Sequence, residues 1–113
     1  MLPKPNRITK SIEFSTIFQK GKRTKENSLI LHVLLTRADI VRIGVVISKK
    51  NVQKATARNR LRRIITETMR QKLSSLKKGS DMVFVVLHPA VEEKPSEIRI
   101  AVDKLLHRTG LLE

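Results

Sequence analysis

Two short runs rich in β-branched and apolar residues, 41–48 and 82–87, are separated by a segment in which the hydrophobic period changes from two to about 3.6. Within that segment Leu61, Ile64, Ile65, Thr68, Met69 and Leu76 fall on one arc at ~100° per residue, and Asn59, Arg63 and Arg70 fall opposite. The pattern predicts a long amphipathic helix from about Thr56, ended by Lys77-Lys78-Gly79-Ser80 with cations in its last turn and a glycine stop. A strand, a helix of about twenty residues and a second strand make a crossover unit, so 41–48 and 82–87 are expected to lie parallel in one sheet.

The flanking segments fill in around this unit. Residues 28–36 form a nearly unbroken apolar run, with His32 as the exception, and read as a strand buried on both faces. The short connection Arg37-Ala38-Asp39-Ile40 predicts that this strand and 41–48 make an antiparallel hairpin. Residues 1–7, with Pro3 and Pro5, read as an irregular arm that builds no core. Thr9 or Ser11 can cap a helix carrying Ile12, Phe14, Ile17 and Phe18 and running to Lys20, with Gly21 at C′. Residues 22–27 suit a turn or a short edge strand. His88-Pro89 closes the strand 82–87, and Pro95 opens a last helix whose stripe is Ile98, Ala101, Val102, Leu105 and Leu106. The expected architecture is therefore α+β, an α/β two-layer sandwich with an about four-stranded mixed sheet in the order αβββαβα, and residues 1–113 form one domain.

Charge points to the partner. Lys+Arg 24 against Asp+Glu 10 gives +14 and a pI near 11.0, and the imbalance is local. From Arg42 to Lys72 there are ten Lys/Arg and one acid, Glu67, whereas half of the ten acids lie after Pro89. The stretch from Lys49 to Arg63 holds seven cations and no carboxylate. A solvated face intersperses both signs, so an uncompensated run of this density calls for an outside polyanion, and nucleic acid is the first candidate. Lys49, Lys50, Arg58, Arg60, Arg62 and Arg63 are candidate phosphate contacts, and Asn59 between two arginines can read a base edge or a 2′-OH.

Self-contained catalysis has no support. His32, His88 and His107 are dispersed, Cys is 0, and no glycine-rich phosphate loop or nucleophile elbow exists among four glycines. Glu92-Glu93 adjoin a proline-bearing loop and are expected to solvate it. No apolar stretch approaches a membrane span, and the lack of cysteine fits a reducing, cytoplasmic setting. Phe14 and Phe18, two of only three aromatics, sit one turn apart on the first helix; they are either core or a stacking platform for unpaired bases. His32 in its apolar strand is either a satisfied core histidine or part of the same groove.

The segment Arg58-Asn59-Arg60-Leu61-Arg62-Arg63, preceded by Arg42-Ile43-Gly44-Val45-Val46-Ile47-Ser48-Lys49-Lys50, closely resembles the protein component of bacterial ribonuclease P, and the resemblance covers nearly the whole chain. It implies a ribosomal-protein-like fold with a left-handed βαβ crossover, against the usual right-handed rule. It also implies one protein per catalytic RNA subunit, with precursor tRNA cleaved at its 5′ end and the chemistry carried by RNA and magnesium. By the same resemblance Lys49, Lys50, Arg58, Asn59, Arg60, Arg62 and Arg63 meet the RNA subunit, and Phe14, Phe18 and His32 line the cleft for the 5′ leader. His32 stands where the family often carries a tyrosine, and Asn51-Val52-Gln53-Lys54 lacks a glycine that many members have. The main alternative is a ribosomal or ribosome-assembly protein that only holds RNA. A DNA-binding regulator would need a second short helix before the helix at Thr56, where the sequence is strand-like. A self-sufficient nuclease lacks the clustered acids that hold metal.

Overall fold

The computed structural model describes residues 2–88 and 93–112. The chain runs through α1 (Ser11–Lys20), β1 (Lys22–Glu26), β2 (Leu29–Leu35), β3 (Val41–Val46), α2 (Ala55–Lys72), β4 (Ser80–Val86) and α3 (Pro95–Arg108), with single 3-10 turns at Lys4–Asn6 and Leu73–Ser75. This is the expected αβββαβα order around a mixed sheet.

Strand order is β1-β2-β4-β3: β3 and β4 pair in parallel, as the crossover pattern requires, and β1-β2 and β2-β4 are antiparallel. The expected hairpin between β2 and β3 does not form, because β4 lies between them. Its residues Met82, Val83, Phe84 and Val86 are all 0% exposed, so β4 fills the centre with a neighbour on each edge. The connection from β2 to β3 is held by Gly79 instead: its N–H donates to Ile40 O at 3.0 Å, and its carbonyl accepts from Thr36 N at 2.7 Å. Gly79 has φ +80, which only glycine adopts cheaply. It therefore serves this turn rather than the end of α2, which stops at Lys72 and tightens into the 3-10 turn Leu73–Ser75.

Alternation sorts the strands onto two faces. Leu29, Leu31 and Val33, with Met82, Phe84, Val86 and Ile43, meet Leu61, Ile65 and Met69 of α2 and Ile98, Val102 and Leu105 of α3 in the main core. Each such side chain contributes about 1.5–3 kcal/mol on burial, and Leu61→Ala would cost about 2–5 kcal/mol. The opposite face is thinner: Val83 packs with Ile17 and Ile8, and Phe14, Leu34, Val46 and Val85 lie around them half-buried. Only part of this face is covered by α1, and the remainder is open.

The start of the chain does more than drape. Leu2 is 3% exposed in the main core and Ile8 5% exposed in the smaller one, so the segment wraps the outer edge of β3 and plugs both faces. Ile8 N donates to Ile43 O at 3.0 Å and Asn6 Nδ2 to Val41 O at 2.8 Å. Neither Thr9 nor Ser11 caps α1; its N-cap is Lys10, and Gly21 follows the helix in extended conformation. Pro95 takes the first turn of α3 as expected, with the Glu97 carboxylate accepting from Lys94 N–H at 3.0 Å. Pro89 and Glu92 lie outside the described residues.

Candidate nucleic-acid interface

The basic run occupies the turn after β3 and the first turns of α2. Val52 is buried, 1% exposed, and Val52 N–H donates to Ser48 O at 3.0 Å, which folds the loop onto the core and leaves Lys49, Lys50 and Lys54 in solvent. The apolar arc of α2 faces the sheet, so Asn59, Arg60, Arg62 and Arg63 are exposed. Arg58 is placed differently from its neighbours. It folds back, half-buried, and its Nη1 donates to Val52 O at 2.9 Å and Gln53 O at 2.8 Å, so part of this guanidinium staples the loop to the helix.

Carboxylates are spent elsewhere. Glu13 and Asp81 meet Arg42, Glu67 meets Arg70, Asp103 meets Lys72 and Glu26 meets Arg108. The Arg70 guanidinium pulls Glu67 down to about 2, and Lys72 lowers Asp103. Among the described residues none of Lys49, Lys50, Arg60, Arg62 and Arg63 has an acidic partner. No cluster of three or more His, Asp or Glu among them could hold a metal ion. No helix among them is long and apolar enough to cross a membrane.

On the thin face, α1 lies across the sheet and presents its two aromatics differently from a core helix. Only Ile17 of α1 is buried; Phe14 is half-buried and Phe18 is 39% exposed. The Phe18 ring meets His32 of β2 edge-on, with centroids 4.8 Å apart and planes at 79°. His32 Nδ1 is buried without a hydrogen-bond partner, and burial, helped by Arg23 beside it on β1, lowers its pKa. Register places Arg23, His32, Val83 and Gly44 in one row across the four strands, and Lys25, Ile30, Val85 and Val46 in the next. The three residues expected in the cleft are thus together on one face, at the border between the part α1 covers and the part it leaves open. The seven expected at the RNA subunit are together on the loop and α2.

Two features of the site go beyond what the sequence pattern announces. Gly44 sits under Phe14: a Cβ there would stand 2.5 Å from the ring's Cε1, so glycine is what lets the ring lie on the strand. A lone glycine inside a β-branched strand is the signal that could have exposed it. Arg42, half-buried, joins Glu13 of α1 to Asp81 of β4 and fixes the helix on the sheet; no local pattern encodes so distant a triad.

The chain is similar to known proteins over nearly its whole length. Residues 2–110 match the family described as Ribonuclease P. The Ribonuclease P protein component of Clostridium botulinum (strain Langeland) is 36% identical over 109 residues, covering 96% of this chain and 97% of the relative. The solved RNase P protein of Thermotoga maritima is 27% identical with a TM-score of 0.81, covering 90% of this chain and 96% of that one. That of Staphylococcus aureus, at 23% identity and a TM-score of 0.89, shares the fold over 96% of this chain and 98% of its own. With a family match over nearly its full length and relatives above a third identical, the chain belongs to the ribonuclease P protein family.

Proposed function

We propose that the chain works as the protein subunit of ribonuclease P, supporting endonucleolytic maturation of tRNA 5′ ends. It grips the catalytic RNA through the start of α2 and the turn before it, and it holds the single-stranded 5′ leader of precursor tRNA in the cleft beside Phe14, Phe18 and His32. The observation that carries this reading is the segregation of charge. None of the ion pairs among the described residues includes the exposed cations of Lys49, Lys50, Arg60, Arg62 and Arg63, which an RNA backbone would neutralise. An exposed aromatic, Phe18, with the half-buried Phe14 one turn away beside a sheet face, suits unpaired bases, which stack without sequence preference. In this reading bond cleavage is assigned to the RNA, with magnesium held by RNA and substrate rather than by protein ligands. One protein per RNA in the bacterial cytoplasm completes the reading.

The test is the salt dependence of RNA-subunit binding. Replacing Arg60, Arg62 and Arg63 together by alanine should leave the fold intact, since all three are exposed. It should weaken binding and flatten log affinity against log salt by about one unit for each phosphate that these side chains neutralise. A slope equal to that of the wild type would remove these arginines from the interface.

A further inference from the structure

A groove of about 710 Å³ runs over the outer edge of β3, between the arm and α1 on one side and α2 on the other. That size falls within the ~300–1,000 Å³ typical of small-ligand clefts. Its floor is apolar, built by Leu2, Ile8, Phe14, Ile43, Gly44 and Val45. Its wall on α2 is Asn59, Arg62, Arg63 and Thr66, and Arg7 stands at the opposite rim. Glu67 also reaches the rim, but Arg70 holds its carboxylate at 3.0 Å, so the uncompensated charge of the groove is positive.

The backbone adds a second feature. Ile43 O accepts from Ile8 and Val41 O from Asn6, so these peptide groups point away from β4; two residues on, Val45 points the same way. The N–H and carbonyl of Val45 have no partner among the described residues and face the groove as one donor and one acceptor side by side. One residue of free edge is too short for an added peptide strand, which needs several alternating bonds. It is the right size for the polar edge of a single base.

We propose that this groove receives one unpaired nucleotide of the RNA subunit, with its base on the Phe14 side of the floor, its polar edge on the Val45 peptide groups and its phosphates on Arg62 and Arg63. The assignment rests on the RNA-subunit reading above and adds a pocket to what was otherwise a charged helix face. Arg62 and Arg63 form one wall and Phe14 is shared with the leader cleft, so the docked nucleotide would couple the seating of the RNA subunit to the position of the ring that the substrate meets.

The decisive variant fills the groove without removing a cation. Thr66→Trp shuts out the base and leaves the phosphates on the exposed Arg62 and Arg63, so it should weaken RNA-subunit binding by about tenfold, the value of one stacked base, while the salt slope stays at the wild-type value. Independently of any variant, adenosine monophosphate titrated into wild-type protein should move the Val45 and Gly44 amide resonances, which decides the matter if the tryptophan variant fails to fold. A folded Thr66→Trp protein that binds the RNA subunit at wild-type affinity would overturn the proposal. So would a loss of affinity accompanied by a changed slope, or a Val45 amide unmoved by the nucleotide. A wild-type protein that binds no RNA subunit at all would sink the functional reading itself, and it is told apart because no substitution is needed to see it.

Discussion

The Arg42 guanidinium lies fork-to-fork with the Asp81 carboxylate, Nε donating to Oδ1 at 3.0 Å and Nη2 to Oδ2 at 2.7 Å. Its remaining nitrogen, Nη1, donates to Glu13 in the first turn of α1, so one side chain ties two strands to the helix that carries Phe14 and Phe18. The two carboxylates, Asp81 foremost, raise the Arg42 pKa, and Arg42 in turn lowers that of Glu13.

Asp81, with a side chain 6% exposed, is the costly partner to disturb. Asp81→Asn should lower the unfolding free energy by about 1–3 kcal/mol in urea titrations. Glu13→Gln, at a pair about a quarter exposed, should cost under about 1 kcal/mol yet weaken leader binding, because the start of α1 is released. Glu13 titrates lower in the folded state than in the unfolded one, so its stabilisation is complete above the ordinary carboxylate value of 4.5 and is lost as pH falls through the folded value. The acid limb of stability against pH should be shallower in Glu13→Gln; matching limbs would disconnect this pair from stability.

Gly44→Ala places a methyl group 2.5 Å from Phe14 Cε1 and 2.9 Å from Cζ. The ring has to lift, at about 1–3 kcal/mol. Precursor tRNA should lose affinity while mature tRNA does not, and comparing the two RNAs with this variant checks it.

Phe18→Leu keeps most of the apolar volume and removes the flat face. A ring 39% exposed contributes little to the core, so the melting temperature should hold while leader affinity drops by ~1–3 kcal/mol, the worth of one stacked base. Equal loss for mature and precursor tRNA, or a lowered melting temperature with leader preference intact, would return Phe18 to the core.

Burial lowers the His32 pKa from 6.5, with Arg23 as the cationic neighbour on β1 and the uncharged Phe18 ring on α1. The neutral form is the one the fold accommodates, so stability is full above the unfolded value and is lost as pH falls through 6.5 toward the lower folded value. Melting temperature should decline between pH 7 and pH 5.5 in the wild type and do so less in His32→Phe. Parallel declines would place the titration elsewhere.

How much of this is legible in the chain depends on how local the cause is. The crossover unit is legible because Leu61, Ile65 and Met69 repeat at helical spacing between two strand runs, and β3 and β4 do lie parallel. The pairing of β2 is not, because Arg37-Ala38-Asp39-Ile40 is short enough for a hairpin with β3, whereas the sheet is decided by Phe84 and its neighbours, which need partners on both edges of β4. Gly79 has the look of a helix stop, but its φ +80 serves a contact with Ile40 and Thr36, about forty residues away in sequence. At the site, the composition of α2 yields the exposed cations directly. The staple made by Arg58 depends on where Val52 is buried, which no spacing encodes.

The borders of the sheet are guarded by opposite ends of the chain. Residues 6–8 fasten to β3, and from the far terminus Arg108 Nη1 donates to Lys25 O at 2.8 Å and Glu26 at 2.9 Å on β1, whose outer row also carries Lys22 and Arg23. Open strand borders are where β-proteins join one another into aggregates. A molecule carrying +14 has little else to protect its hydrogen-bonding rims once its charge is screened by salt or polyphosphate. Replacing Asn6 or Arg108 by alanine, which loosens one border and leaves the buried residues in place, should therefore show itself first as loss of colloidal stability in concentrated, high-salt solution.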